Sequence, residues 1–153
     1  METILEKSAV ESRLALRIYY EDTDAGGVVY YANYLRFIER ARTEIARTIG
    51  FDPSTLARDE GIALAVRSLE AEYLRPGYLD DALTIISTID SVRSAQVIFN
   101  QRIVRGDELL FTARVRCVCV QIQRMKATAM PQAIRDAFHA LCVSRSDIVA
   151  DSS

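Results

Sequence analysis

A short acidic stretch near the N-terminus holds Glu21, Asp22 and Asp24, followed almost at once by Gly26 and Gly27. A carboxylate held opposite a polarised carbonyl can attack that carbonyl or activate a water molecule. Glycines carry no side chain, so a ligand or a tight turn can lie against their backbone. A helix predicted to begin about seven residues after Asp24 would offer free N–H groups to a developing oxyanion. On these residues alone, an Asx-type turn with a solvated run of acids remains the alternative.

The chain has a single histidine, His139, which limits the kinds of catalysis that the acidic stretch can take part in. A metal site built from several histidines cannot form within one chain, and a serine or cysteine nucleophile would have only this imidazole. Cys117 and Cys119 lie two residues apart and are poorly placed to form a disulfide, and with Cys142 the cysteine count is odd. We therefore expect carboxylates, backbone dipoles or a cofactor to do the chemistry, and packing roles for Cys117 and Cys119.

Length and composition indicate one globular domain. The 153 residues are 50% apolar and 26% charged, with a net charge of −2, so a general nucleic-acid-binding domain is not expected. We expect a single domain at 1–143, with a loose leader over its first twelve residues, and a polar tail at 144–153. No stretch approaches the roughly 20 apolar residues of a membrane helix, and none has signal-peptide length. The expected location is the cytoplasm, without stable membrane insertion.

The residues around the acidic stretch predict the elements that position it. Strand-like alternation at 14–20 leads into the loop, and helical spacing follows, with Asn33 as a candidate N-cap and Gly50 as a C′ glycine. Phe51-Asp-Pro ends this helix and a linking stretch follows. Four strands and a short closing helix are then predicted at 62–73, 82–89, 95–104, 109–123 and 131–142. Strands joined by short turns indicate an antiparallel sheet with one face covered by the long helix.

The last predicted strand is apolar on both faces near its end. The face expected to meet the helix carries Leu109, Phe111, Ala113, Val115, Cys117 and Cys119. The opposite face ends in Val118, Val120 and Ile122, and one helix cannot cover both faces. Burial of the second face against another subunit is one explanation. The other is that the closing helix folds over it.

The acidic stretch and its surroundings resemble a known family signature. The segment YEDTDAGGVVYYANY at 20–34, followed by FIERARTE at 37–44, is similar to the signature of hotdog-fold acyl-CoA thioesterases of the 4-hydroxybenzoyl-CoA thioesterase and YbgC-like group. Two weaker pieces, YLRPGYLDD at 73–81 and MPQAIR at 130–135, resemble the family's turn between its second and third strands and its closing proline and helix. The resemblance runs from about residue 13 to 140, and its first motif is long and specific.

This resemblance implies an α+β hotdog fold, in which a long central helix is wrapped by a curved antiparallel sheet of about five strands. It also implies a homodimer or homotetramer with active sites at the subunit interface, so the acid and the helix dipole can come from different subunits. The implied reaction is hydrolysis of an acyl-CoA thioester to free acid and CoA, without a metal or other cofactor. Coenzyme A is part of the substrate, and acyl carrier protein is an alternative donor.

The same resemblance assigns roles to individual residues. Asp24 matches the family's catalytic aspartate, either as a nucleophile that forms an acyl-enzyme anhydride or as a general base for water. Tyr31 lies where a backbone N–H at the start of the central helix polarises the thioester carbonyl. Tyr20 would line the site, and Gly26 and Gly27 match the glycine turn that lets the substrate approach.

The residue at position 31 leaves the acyl preference open. Many YbgC-like enzymes carry histidine where this chain has Tyr31, whereas 4-hydroxybenzoyl-CoA thioesterase itself has tyrosine there. The acyl preference is therefore open between short aliphatic and aromatic groups. Arg93 falls near where relatives place basic residues, so it is a candidate for binding the CoA phosphates, with a solvated surface role as the alternative.

Other functions known for hotdog chains are alternatives to hydrolysis. A dehydratase or hydratase usually needs a catalytic histidine beside an acid, and this chain offers none at a matching position. A protein that binds acyl-CoA without turning it over is a further alternative, although it would gain nothing from Asp24. A role beside the Tol-Pal envelope system is implied only by the YbgC-like resemblance and is compatible with thioesterase activity.

Overall fold

Six strands and three helices make up the part of the chain that the computed structural model describes, residues 10–142. In chain order they are β1 (Ser12–Arg17), α1 (Asn33–Thr48), α2 (Pro53–Glu60), β2 (Ile62–Tyr73), β3 (Ala82–Val92), β4 (Gln96–Arg105), β5 (Glu108–Gln121), β6 (Lys126–Ala127) and α3 (Gln132–Leu141). The predicted tail and most of the predicted leader lie outside the described residues. No helix within 10–142 is long and apolar enough to cross a membrane.

The strands form one antiparallel sheet in the order β1-β3-β4-β5-β2, and the two-residue strand β6 pairs with β5. The register shifts at one point in each of the pairs β2–β5, β3–β4 and β4–β5, and such bulges bend and twist the strands. The core lies between α1 and one face of the sheet, where Phe37 and Ile38 pack with Phe99, Ile103 and Phe111. The predicted arrangement of a long helix against a curved antiparallel sheet is confirmed.

Helix α1 begins and ends for different local reasons. Its N-cap is Ala32, which makes no side-chain capping bond, so the prediction of Asn33 as the N-cap is wrong. The Asn33 amide instead donates to the carbonyl oxygen of Asp22 at 2.9 Å, because the acidic loop folds back over the helix start. Gly50 has a φ of +92°, the left-handed conformation that favours glycine after a helix, as predicted.

Helix α2 was missed and occupies most of the predicted linking stretch. Its N-cap is Asp52, whose side chain accepts from the backbone N–H groups of Ser54 and Thr55. Pro53 is the first helical residue, where a missing N–H costs nothing. The sequence Phe51-Asp-Pro therefore ends one helix and begins the next.

A bulge changes which residues of β5 face the core. Ile103 pairs with Phe111 and Val104 pairs with Leu109, which leaves Leu110 as an extra residue. Leu110 and Phe111 are both fully buried, whereas Leu109 is only partly buried. The expectation that Leu109 faces the helix is therefore wrong, because simple alternation does not continue through a bulge.

Helix α3 packs on the same side of the sheet as α1. Its buried residues, Ile134 and Phe138, belong to the main core, and the Phe138 ring meets the Phe99 ring edge-on at 6.2 Å. Val118 and Val120 lie on the opposite face and are not part of this core cluster. The alternative that the closing helix folds over that face is therefore wrong.

Candidate active site

The acidic loop folds into a small hairpin. Thr23 and Val29 form an antiparallel bridge, and the Asp24 backbone N–H donates to the Val28 carbonyl at 2.9 Å. The turn closes with a 3.0 Å bond from the Gly27 N–H to the Asp24 carbonyl. Gly27 has a φ of +79°, which side-chain-bearing residues rarely adopt. The second glycine is therefore required by the turn itself.

The Asp24 carboxylate is held by one of its oxygens. Oδ1 accepts from the Gly26 N–H at 2.8 Å, which is the Asx-type turn that the sequence left as an alternative. The other oxygen, Oδ2, has no hydrogen-bond partner among residues 10–142, and the side chain is exposed. Because one bond fixes the carboxylate and leaves the second oxygen free, the Asx turn and a chemical role are compatible.

The start of α1 is tied to the same loop. The Asp22 carbonyl accepts from the Tyr30 N–H and from the Asn33 side chain, both at 2.9 Å. The Asn33 backbone N–H donates to the Tyr30 carbonyl at 2.8 Å. The N–H of Tyr31 has no acceptor in the described part of the chain. An unused donor therefore lies at the positive end of the helix dipole, close along the chain to Asp24.

Aromatic side chains from distant elements pack around the start of α1. The Tyr73 hydroxyl, at the end of β2, donates to the Tyr31 carbonyl at 3.0 Å. The Tyr34 hydroxyl accepts from the Gly77 N–H at 2.9 Å, and its ring stacks on Phe111 at 5.2 Å. Burial raises the pKa of both Tyr34 and Tyr73, so both hydroxyls stay protonated well into alkaline solution.

The sequence analysis assigned Tyr73 no role in the site. Tyr73 opens the second piece of the family resemblance, and that was the available signal. The helical spacing of Tyr34 favoured the core over an acyl pocket, and the side chain is 3% exposed in the core. The contacts of both side chains depend on strand register, which the local sequence does not encode.

Five of the predicted site residues share one segment. Asp24, Gly26 and Gly27 form the hairpin turn, Tyr31 follows it, and Tyr20 opens a single 3-10 turn just before it with its ring 82% exposed. These residues form one surface at the start of α1.

Arg93 is not brought to this surface within one chain. It lies in the β3–β4 turn, two residues before Ala95, whose carbonyl accepts from the Cys119 N–H. Tyr73 pairs with Phe111 near the other end of β5. The eight residue steps from Phe111 to Cys119 span roughly 25 Å of strand.

A cavity of about 470 Å³ lies between α1 and β2. It is lined mainly by apolar side chains, with Arg42 and Cys117 in its wall. The Arg42 guanidinium donates to the Gln101 side chain at 2.9 Å, and burial lowers the pKa of Arg42 and raises that of Cys117. Cys117 and Cys119 are buried, which agrees with the packing role expected for them. His139 is exposed on α3.

Comparison with known proteins gives consistent matches. The family model described as the Thioesterase-like superfamily matches residues 19–138. The acyl-CoA thioesterase YbgC of Haemophilus influenzae is 44% identical over 126 residues, which are 82% of this chain and 93% of that protein. The acyl-CoA thioester hydrolase YbgC of Escherichia coli O157:H7 is 47% identical over 123 residues, 80% of this chain and 91% of that protein. A solved structure, a probable thioesterase from Bartonella henselae, is 35% identical with a TM-score of 0.75, and the match covers 79% of this chain and 99% of that one.

Proposed function

This chain belongs to the thioesterase-like superfamily and has its hotdog fold, and from that premise we propose that it hydrolyses acyl-CoA thioesters to free acid and CoA at the start of α1. The observation that carries the proposal is that one short segment holds both a Tyr31 N–H without an acceptor and an Asp24 carboxylate whose Oδ2 has no hydrogen-bond partner among the described residues. The matches to YbgC-type thioesterases support the same reaction.

The Tyr31 N–H is the proposed oxyanion donor. A thioester carbonyl placed against it would accept a hydrogen bond at the positive end of the helix dipole, and negative charge develops on that oxygen during attack. Loss of one such donor typically costs roughly 3–4 kcal/mol of transition-state stabilisation. Because only the backbone is used, Tyr31→Phe should keep most of the activity. A hundredfold loss in that variant would contradict this role.

Asp24 promotes attack on the acyl carbon in either of two ways. As a nucleophile, Oδ2 bonds to the acyl carbon, the C–S bond breaks with release of CoA, and water then hydrolyses the mixed anhydride. As a general base, Asp24 takes a proton from the water that attacks the acyl carbon directly, and the C–S bond breaks with release of CoA and the free acid. Both routes need only this carboxylate, the amide and water, with no metal or other cofactor.

The experiment that tests this proposal measures thiol release from acetyl-, butyryl-, hexanoyl-, palmitoyl-, benzoyl- and 4-hydroxybenzoyl-CoA. Asp24→Asn should remove most of the turnover while the protein stays folded. Glu21→Gln is the matched control, because Glu21 is exposed on the same loop and has no hydrogen bond among the described residues. Unchanged turnover in Asp24→Asn would reject the role of Asp24. No turnover by wild type on any substrate would favour a protein that binds acyl-CoA without hydrolysing it.

The two routes for Asp24 can be separated by isotope transfer. Repeated turnover in H₂¹⁸O, followed by mass spectrometry of the peptide that contains Asp24, reports on a covalent intermediate. Water attack on the aspartyl carbonyl of an anhydride leaves ¹⁸O in the side chain, whereas a general base acquires none. Attack on the acyl carbonyl of an anhydride also leaves no label, so a hydroxylamine trap on the acyl-enzyme completes the assay.

A second copy of this chain is the proposed partner at the β2 edge of the sheet. Strand β2 pairs only with β5 within residues 10–142, and its Val66, Leu69 and Tyr73 side chains are 48%, 38% and 46% exposed. An unpaired strand of twelve residues with exposed apolar side chains is prone to pair with another chain, and a second subunit would cover it. We propose a homodimer or homotetramer with the site at this interface, where Arg93 of another subunit could reach the CoA phosphates. Leu69→Glu should yield monomers in sedimentation, and an unchanged oligomer would reject this interface.

The proposed substrates are short aliphatic or aromatic acyl-CoA esters, and the acyl panel separates the two. None of the proposed site residues lines the apolar cavity between α1 and β2, so the choice between these substrates rests on the acyl panel. The proposed location is the cytoplasm, where acyl-CoA is available.

A further inference from the structure

Tyr73 is the last residue of β2 and reaches the start of α1 across 42 residues of sequence. Its hydroxyl donates to the Tyr31 carbonyl at 3.0 Å. Its ring is fixed by edge-on contacts with the rings of Phe111, at 5.0 Å, and Tyr34, at 5.5 Å. The hydroxyl is therefore aimed at Tyr31 by a packed aromatic group and not by a mobile side chain.

The bond from Tyr73 completes the fixation of Tyr31. Each peptide group is planar, so a hydrogen bond to a carbonyl fixes the orientation of that whole peptide. The peptide before Tyr31 is held because the Tyr30 carbonyl accepts from the Asn33 N–H at 2.8 Å. The Tyr31 N–H belongs to this peptide. The next peptide is held because the Tyr31 carbonyl accepts from the Tyr73 hydroxyl at 3.0 Å and, at a longer 3.4 Å, from the Tyr34 N–H. Holding the second peptide restricts rotation about the Tyr31 Cα bonds, which would otherwise tilt the Tyr31 N–H.

We propose that Tyr73 is a positioning residue for thioester hydrolysis, which fixes the direction of the Tyr31 N–H through the Tyr31 carbonyl. This inference rests on the proposed function, because it assigns Tyr73 to the oxyanion donor of that reaction. An oxyanion donor acts through its preorganised direction. Greater freedom of the donor therefore reduces the stabilisation of the transition state more than it reduces the binding of the substrate.

The test is Tyr73→Phe, which keeps the ring and removes only the hydroxyl. We expect kcat to fall about tenfold, the equivalent of one well-made hydrogen bond, while KM changes less than about twofold. Tyr78→Phe is the matched control, because Tyr78 is equally exposed, at 46%, and its hydroxyl has no hydrogen bond within the described chain. Unchanged kcat in Tyr73→Phe, or an equal loss in Tyr78→Phe, would overturn the proposal.

A binding measurement separates positioning from a structural effect. A dethia ketone analogue of acyl-CoA keeps the carbonyl, whereas an S-alkyl-CoA thioether lacks it. Tyr73→Phe should change the affinity of both ground-state analogues by less than about twofold, as expected for KM, because the donor is needed most in the transition state. Equal weakening of both analogues would show general damage to the site and reject the proposal. If wild type binds the ketone but has no thioesterase turnover, the proposed function fails separately from this inference.

Discussion

Gly26 offers a direct test of whether the position of the Asp24 carboxylate governs the rate. A Cβ added at Gly26 would lie 3.3 Å from Asp24 Oδ1, closer than most carbon–oxygen contacts allow. The backbone of Gly26 is not in the left-handed region, so alanine fits its conformation. The substitution Gly26→Ala should therefore displace the carboxylate by a few tenths of an ångström without unfolding the turn.

The expected size of the effect follows from that displacement. A misplacement of about 1 Å can cost about a hundredfold in rate, so a few tenths of an ångström should lower kcat/KM roughly 5- to 10-fold. Stability should not fall, because an alanine at a compatible position restricts the unfolded chain and adds about 0.4–1 kcal/mol.

Gly27→Ala is the control, because it should lower stability and should affect activity less than Gly26→Ala does. The added Cβ would meet nothing within 4 Å, but φ is +79°. Alanine in this region costs roughly 1–2 kcal/mol, so the melting temperature should fall. Its activity at a temperature where the protein is folded should fall less than that of Gly26→Ala, since no atom crowds the carboxylate.

The assay combines thiol release under subsaturating acyl-CoA with thermal unfolding of the same preparations. A Gly26→Ala variant with full kcat/KM would refute the reasoning, because the carboxylate could then move without consequence. A variant that loses activity and melting temperature together would also contradict it, since the loss would then come from unfolding.

Two further predictions concern stability. Tyr34→Phe would leave the buried Gly77 N–H without its acceptor, at a cost of about 1–3 kcal/mol, and calorimetry should show a clearly lower melting temperature; an unchanged value would contradict the role of that bond. Asp52→Ala should also lower the melting temperature, because the side chain caps α2. The Ser54 hydroxyl, and then the Thr55 N–H, lower the pKa of Asp52 in the folded state. Its contribution is therefore complete above the ordinary carboxyl range near pH 4 and is lost as the pH falls through the folded-state pKa. The difference between wild type and variant should shrink at acid pH, and a constant difference would argue against the cap.

Most of the element order was predictable because the underlying signals are local. The bounds of β2 were predicted correctly, and Gly50 follows the end of α1 in the left-handed conformation predicted for it. The predictions of element bounds and of the core-facing residues failed where a local pattern was ambiguous or was interrupted. Asp52-Pro53 was interpreted as a helix end and is also a helix start, and Leu110 breaks the alternation of β5 through a bulge.

By itself, the sequence predicted an antiparallel sheet covered by one long helix, because hydrophobic periodicity is a local signal. It also indicated the segment proposed to carry the site, because the residues from Asp24 to Gly27 lie within four positions of one another. Only the tertiary structure decided which Asp24 oxygen is free and which residue holds Tyr31. Tyr73 reaches Tyr31 because of the register of β2 against β5, and Arg93 is carried to the far end of the same sheet. Contacts of this kind depend on hydrogen-bonded register between distant segments, and a shift of one residue turns every side chain of a strand to the other face.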